Sequence, residues 1–338
     1  MQDVKTKNSG FQPVMRYRSL FWPLLLILIG GVWLLQNFGI ITGANIAALL
    51  RLWPILLIVG GVEILLAPRQ PRLAAFIGVG ALVAALGIAL VGPAFGLGKV
   101  EVTTKEFTAP LDKATAARVD LNLSVGKANV AALLDSPNLI DANLTYVGAI
   151  DFKVSGDTDK RVTLKQSENS GWNWFNTFDN NELQWNVALN PTIPLALNIK
   201  GGVGPSTLEL GKLNLASLSI NAGVGESTLT LPASDKTYNV TIDGGVGGIN
   251  ATLPANTSVN ISINGGVGNA TLDVPADAAV QVISNSGLGK INVPSNFTLL
   301  TDGSGKNRNG TYETPDFSSA KNKIVITYDG GVGNLTIR

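Results

Sequence analysis

Val240-Thr241-Ile242-Asp243-Gly244-Gly245-Val246-Gly247-Gly248-Ile249-Asn250-Ala251-Thr252-Leu253-Pro254 is the stretch whose reading decides the fold. Before the glycines the residues expected to face inward are all even: Val240, Ile242, Gly244 and Val246. After them they are all odd: Ile249, Ala251 and Leu253. A strand has a side-chain period of two, so one parity marks one buried face. A switch of parity means an extra residue, hence a corner. Glycine permits that corner because no Cβ obstructs the turning backbone. Pro254 has no amide donor and ends the second strand.

The phrase recurs as Gly201-Gly202-Val203-Gly204, Ala222-Gly223-Val224-Gly225, Gly265-Gly266-Val267-Gly268, Ser286-Gly287-Leu288-Gly289 and Gly330-Gly331-Val332-Gly333. Its apolar residue returns at steps of 21, 22, 21 and 21, then 44, which reads as two periods with the middle phrase missing. A fainter copy, Ser124-Val125-Gly126, lies upstream. The alternation holds at each copy tested. Val259, Ile261, Ile263 and Val267 precede Ala270, Leu272 and Val274. Ile324, Ile326, Tyr328 and Val332 precede Leu335 and Ile337. Val119, Leu121, Leu123 and Val125 precede Ala128 and Val130. Pro232, Pro254, Pro275 and Pro294 close several units. Each unit therefore reads as strand, glycine corner, strand and proline turn. One such coil cannot bury its own apolar face, but stacked coils can. The expected fold is an all-β, solenoid-like stack of repeats of about 21 residues. The expected corners are Gly202, Gly204, Gly223, Gly225, Gly245, Gly247, Gly266, Gly268, Gly287, Gly289, Gly331 and Gly333.

Other uses of glycine fail on spacing. A phosphate-binding loop needs Gly-x-x-x-x-Gly-Lys-Ser/Thr, and a dinucleotide fold needs Gly-x-Gly-x-x-Gly opening a helix. Neither pattern occurs. Calcium-binding nonapeptides place Asp after Gly-Gly-x-Gly-x. Here that position holds Ser206, Ser227, Ile249, Ala270, Ile291 or Leu335.

The 338 residues include no Cys and no His and carry a formal net charge of +1. There is thus no disulfide, no thiolate metal site and no imidazole base. No enzyme chemistry, cofactor or small-molecule substrate is evident, and near-neutral charge gives no reason to expect nucleic acid.

Charged residues are only 14% of the chain because the first hundred residues are mostly apolar. After a polar tail (1–19), three apolar runs are expected to cross a membrane, at about 20–38, 52–66 and 73–91. The first two are copies: Trp22-Pro23 matches Trp53-Pro54, and Gly30-Gly31-Val32 matches Gly60-Gly61-Val62. Trp anchors at an interface, and Pro is tolerated in a first helical turn. Glu63, near a helix end, is expected at headgroup level. No small-residue cleavage site follows the first run, so no removable signal peptide is expected. Lys5, Lys7, Arg16 and Arg18 precede the first run, and Arg69 and Arg72 lie between the second and third, with Arg51 the exception. Positive charge marks the cytoplasmic side. With three spans, the tail is cytoplasmic and everything after about Gly98 lies outside. The expected organisation is then a tail (1–19), a transmembrane region (20–98), an irregular β capping domain (99–199) and a repetitive β domain (200–338).

Within the capping region, Gly171-Trp172-Asn173-Trp174-Phe175-Asn176-Thr177-Phe178 breaks the strand pattern, with Trp185 following. Trp172, Trp174, Phe175 and Phe178 form either an exposed loop that docks on membrane, glycan or protein, or a plug over the end of the stack. Asp302–Gly310 reads as a loop. Asn239, Asn250 and Asn269 stand in Asn-x-Ser/Thr triplets; the plainer reading is Asn at corners and Thr in strands.

The doubled Trp-Pro helices followed by glycine-phrased β repeats resemble a bacterial arrangement. Residues 20–66 look like the transmembrane region shared by LiaI and LiaF proteins. The remainder resembles the toast-rack and LiaF-like C-terminal domains and the β repeats of adhesins. The resemblance implies a bacterial membrane protein of envelope-stress sensing, responsive to cell-wall-active antibiotics, in which LiaF-type members restrain a sensor kinase. It carries over no catalytic residue. The expected partners are membrane lipid and a sensor kinase or another envelope protein. The other reading is a structural or adhesin-like protein displaying a β stack.

Overall fold

The computed structural model describes residues 21–38, 45, 53–66, 69–91, 102–167, 183–285, 288–302 and 310–338. The chain forms two compact units, one containing residues 1–100 and the other nearly all of residues 101–338.

The first unit holds three helices: α1 (Phe21–Asn37), α2 (Trp53–Leu66) and α3 (Pro71–Val91). α3 packs against both α1 and α2. Pro stands at the first or an early position of each, where its missing N–H costs no helical bond. The outward faces carry Ile27, Trp33, Leu57, Ile58, Phe76 and Val83, each more than 60% exposed. Helices that are apolar all round suit a lipid environment. Among the described residues no helix is both long and apolar enough to cross a membrane. α1 and α2, at 17 and 14 residues, are shorter than the ~20 a span needs, whereas α3 has 21.

The second unit is all-β. It contains a ten-stranded and an eleven-stranded sheet, facing each other across one core. The central strands are parallel, and the chain alternates between the sheets. Each pass contributes one strand to the eleven-stranded sheet and one to the ten-stranded sheet, and in seven of the eight a glycine phrase lies at the corner between them; the strands 159–166 and 184–189 of the eighth are joined through residues outside the described ones. In spatial order the eight coils are 159–189, 116–132, 195–209, 215–230, 238–252, 259–273, 324–337 and 280–292. The strands on either side of residue 200 share both sheets without a break.

Spatial order departs from chain order at both ends. The coil at 116–132 lies between 159–189 and 195–209. The last coil, 324–337, lies between 259–273 and 280–292. This corrects the reading of the 44-residue step. No phrase is missing: the chain skips one rung, lays down 280–292, and returns to fill the gap with its own C-terminus. A uniform repeat permits this, because every rung offers the same parallel edge to any neighbour.

The alternation places a continuous apolar file inside each sheet. In the eleven-stranded sheet Val162, Val119, Leu197, Leu218, Val240, Ile261, Ile326 and Val282 stand in register, none more than 2% exposed. The facing file runs Val187, Val130, Leu208, Leu229, Ala251, Leu272 and Ile337. Outward positions carry polar ladders instead. Asn260 donates to Asn239 (3.0 Å), Asn264 to Asp243 (2.9 Å) and Asn285 to Asp329 (2.8 Å). Asn239 and Asn250 thus lie on outward strand faces, while Asn269 at a corner exit accepts from the Asn334 backbone N–H.

Antiparallel strands close the stack. Val102–Pro110 and Asn138–Val147 cover one end of the ten-stranded sheet. Ile150–Ser155 covers the same end of the eleven-stranded sheet, and Gly310–Glu313 and Thr298–Asp302 cover its other end. The outermost strands carry Lys105, Glu106, Pro110, Asp151 and Lys153, residues that discourage pairing with a further chain.

Tyr238 fills the core beside the turn that precedes it. It is 2% exposed, and its hydroxyl donates to the Pro232 carbonyl (2.7 Å). Burial pushes its phenol well above the ordinary tyrosine range. The folded state therefore favours the neutral phenol. Its contribution is complete below about pH 10, the unfolded value, and is lost as pH rises from there toward the folded value. Tyr238→Phe is expected to cost about 1 kcal/mol at neutral pH through the lost hydrogen bond. It should also flatten the alkaline decline in urea-unfolding stability measured between about pH 9 and 11.

Candidate functional site

The corners bring the apolar residues of all seven phrases into one line. Val125, Val203, Val224, Val246, Val267, Val332 and Leu288 form successive parallel bridges. The bonding crosses every corner. The Val224 N–H donates to Gly202 O (2.8 Å), and its carbonyl accepts from the Gly204 N–H (2.8 Å). Val246, Val267, Val332 and Leu288 repeat that pair against the rung before them.

Glycine is required here for two separate reasons. At Gly223 a Cβ would overlap the Gly202 carbonyl oxygen of the adjacent rung. At Gly225 φ is +150°, and a Cβ would overlap the Gly204 carbonyl. The same close approach recurs at Gly202, Gly204, Gly245, Gly247, Gly268, Gly289, Gly331 and Gly333, while at Gly266 it is less tight. Gly287 lies outside the described residues.

The corner side chains do not face inward, contrary to the parity expectation for Val125, Val246, Val267 and Val332. Val203, Val224, Val246, Val267 and Val332 are each about half exposed, and Leu288 is 66% exposed. Val125 is half-buried. The corner belongs to neither sheet, so the period of two cannot be carried through it. The result is a continuous exposed apolar stripe with a rise of about 4.8 Å per rung. It is flanked by glycines that leave the backbone bare. An exposed apolar stripe of this kind suits a contact surface by its chemistry.

The aromatic set Trp172, Trp174, Phe175 and Phe178 lies outside the described residues. Trp185, next in sequence, is a core residue 1% exposed, in register with Ala128 and Leu144. Among the described residues no three Asp or Glu side chains come close enough to hold a metal. The Asp302–Gly310 loop falls largely outside the described residues. Sequence reasoning marked the corner glycines but missed the exposed stripe. The signal was available: an apolar residue fixed between glycines, where a turn breaks the parity.

Residues 21–106 match the LiaF transmembrane domain family, and residues 97–252 match the family of the N-terminal domain of toast_rack, DUF2154. No curated protein matches the chain. Among solved structures it is similar to a candidate cell adhesion protein from Clostridium sporogenes (23% identity, TM-score 0.49, 70% of this chain and 99% of that one). It is also similar to a candidate adhesin from Bacteroides fragilis (11% identity, TM-score 0.30, 70% of this chain and 97% of that one).

Proposed function

We propose that this chain, whose residues 21–106 match the LiaF transmembrane domain family and whose residues 97–252 match the N-terminal domain of toast_rack, is a LiaF-like, non-enzymatic accessory protein of the bacterial envelope. In this reading α1, α2 and α3 anchor the chain as three spans. The β unit is a solenoid displayed outside the cytoplasm and modulates an envelope-stress system through protein contacts. The exposed corner stripe from Val203 to Leu288 is the observation that carries the reading, because it offers a partner an apolar, preorganised surface with little to order on binding. The lack of His and Cys supports a role without catalysis. The placement of Lys5, Lys7, Arg16, Arg18, Arg69 and Arg72 supports the sidedness.

The test is site-specific photocrosslinking in intact cells, with the probe at Val246 on the stripe, at Trp174 in the aromatic segment, or at Thr241 on a polar strand face. Capture of a sensor kinase from Val246 and not from Thr241 is the expected result. A kinase captured from Trp174 alone moves the contact to the aromatic segment. Equal capture at Val246 and Thr241, or recovery of cell-wall polysaccharide without a kinase, contradicts the signalling reading and favours an adhesive one.

A further inference from the structure

A second feature lies on the outer face of the eleven-stranded sheet and is independent of the signalling reading. Arg118 and Arg161 occupy register-paired positions on adjacent parallel strands, and both point outward. Strand spacing places their backbones about 4.8 Å apart. Like charges directly across a strand pair are destabilising unless something neutralises them. Among the described residues no acidic side chain pairs with either of them. Asp120, two residues beyond Arg118 on its strand, accepts from the Asn198 side-chain amide (2.6 Å), and Asp151, farther along the sheet opposite Lys165, is engaged by Lys153 (2.9 Å) and Lys165 (3.8 Å).

The sheet is recessed beside this pair. On the neighbouring strands the small residues Ala196 and Ala216, with Pro194 beside them, leave an open basin of about 430 Å³ that both arginines line. Ser155 and Asp159 stand at its rim. A basin with two planar, permanently charged donor forks suits an oxyanion held by several N–H groups at once. Carboxylate and hydroxyl groups at the rim suit ligand hydroxyls, which Asp159 and Ser155 can accept. We propose that this basin binds a phosphorylated polyol, Arg118 and Arg161 taking the phosphate and Asp159 and Ser155 taking the adjoining hydroxyls. The phosphate can come from a lipid headgroup or from a soluble phosphopolyol.

The experiment uses the full chain in nanodiscs of phosphatidylcholine. Titration calorimetry with glycerol 3-phosphate reads the soluble source. Capture of fluorescent phosphatidylglycerol vesicles, against phosphatidylcholine vesicles, reads the lipid source. Arg118→Gln and Arg161→Gln should each weaken binding at least tenfold, with thermal melting of the unliganded protein unchanged or slightly raised, because both side chains are exposed and each change removes one of two like charges. Arg118→Lys, which keeps the charge and loses the fork, should retain weak binding. Asp159→Asn should narrow the preference for glycerol 3-phosphate over inorganic phosphate. Binding in either arm that the arginine variants abolish supports the site and identifies its source. Absence of binding in both arms, or equal binding by wild type and the Arg118→Gln/Arg161→Gln double variant, overturns it.

Discussion

Deleting residues 324–338 is expected to unfold far more than the segment removed. The coil contributes Ile324, Ile326, Tyr328, Leu335 and Ile337 to the core, none more than 7% exposed. At roughly 2 kcal/mol for each buried apolar side chain, the loss is on the order of 10 kcal/mol, as large as the whole stability of many domains. The deeper reason is topological. This coil is the only rung joining 259–273 to 280–292 among the described residues, through four parallel strand pairings. Without it the 280–292 coil and the antiparallel strands beyond it lose their support. Coils on the far side keep their neighbours, and stability in a stacked array is a sum over neighbours. Hydrogen exchange should therefore show protection lost from about residue 259 to the new C-terminus and retained around 195–252. Uniform loss across the β unit would argue against stacking by nearest neighbours.

Gly223→Ala should destabilise strongly, whereas Val224→Ala beside it should be nearly neutral. The alanine Cβ would overlap the Gly202 carbonyl, and the atoms it meets are backbone held in the ladder, with no flexible side chain to yield. Relief requires the two rungs to separate, at the cost of the Val224 N–H to Gly202 O bond and the Gly204 N–H to Val224 O bond. Strain of ~1–3 kcal/mol with two hydrogen bonds at about 1 kcal/mol each gives a loss of about 3–5 kcal/mol. Val224 is half exposed, so trimming it should cost well under 1 kcal/mol. Urea titration of both variants checks the contrast. If Val224→Ala proved the worse of the two, the corner residues would have to be core residues after all.

Much of this fold was legible because strand parity is a direct record of burial. Val240, Ile242, Ala251 and Leu253 face the core as the alternation predicts, and so do their counterparts in the copies at 119–130, 259–272 and 324–337. Two things were hidden. A period reports the length of a rung and not which rungs are neighbours, so the 44-residue step could not reveal that Val332 sits between Val267 and Leu288. Parity also holds only within a strand, so the corner valines were assigned to the wrong side. The Arg118–Arg161 pair was hidden for a related reason. The two residues are far apart in sequence, on strands of different coils, and only the register 119↔162 brings them together.

The order of the rungs can be tested directly because the chain contains no cysteine. Three double variants of the half-exposed corner residues suffice: Val267→Cys/Val332→Cys, Val332→Cys/Leu288→Cys and Val267→Cys/Leu288→Cys. Adjacent parallel strands hold Cα atoms about 4.8 Å apart, within disulfide range, while rungs two apart stand roughly 9.6 Å from each other, outside it. Mild oxidation of the folded protein should therefore crosslink the first two pairs and leave the third reduced. Rapid crosslinking of Val267→Cys/Leu288→Cys, with neither pair that includes Val332→Cys reacting, would mean that the coils stack in chain order and that the C-terminal coil is not inserted between them.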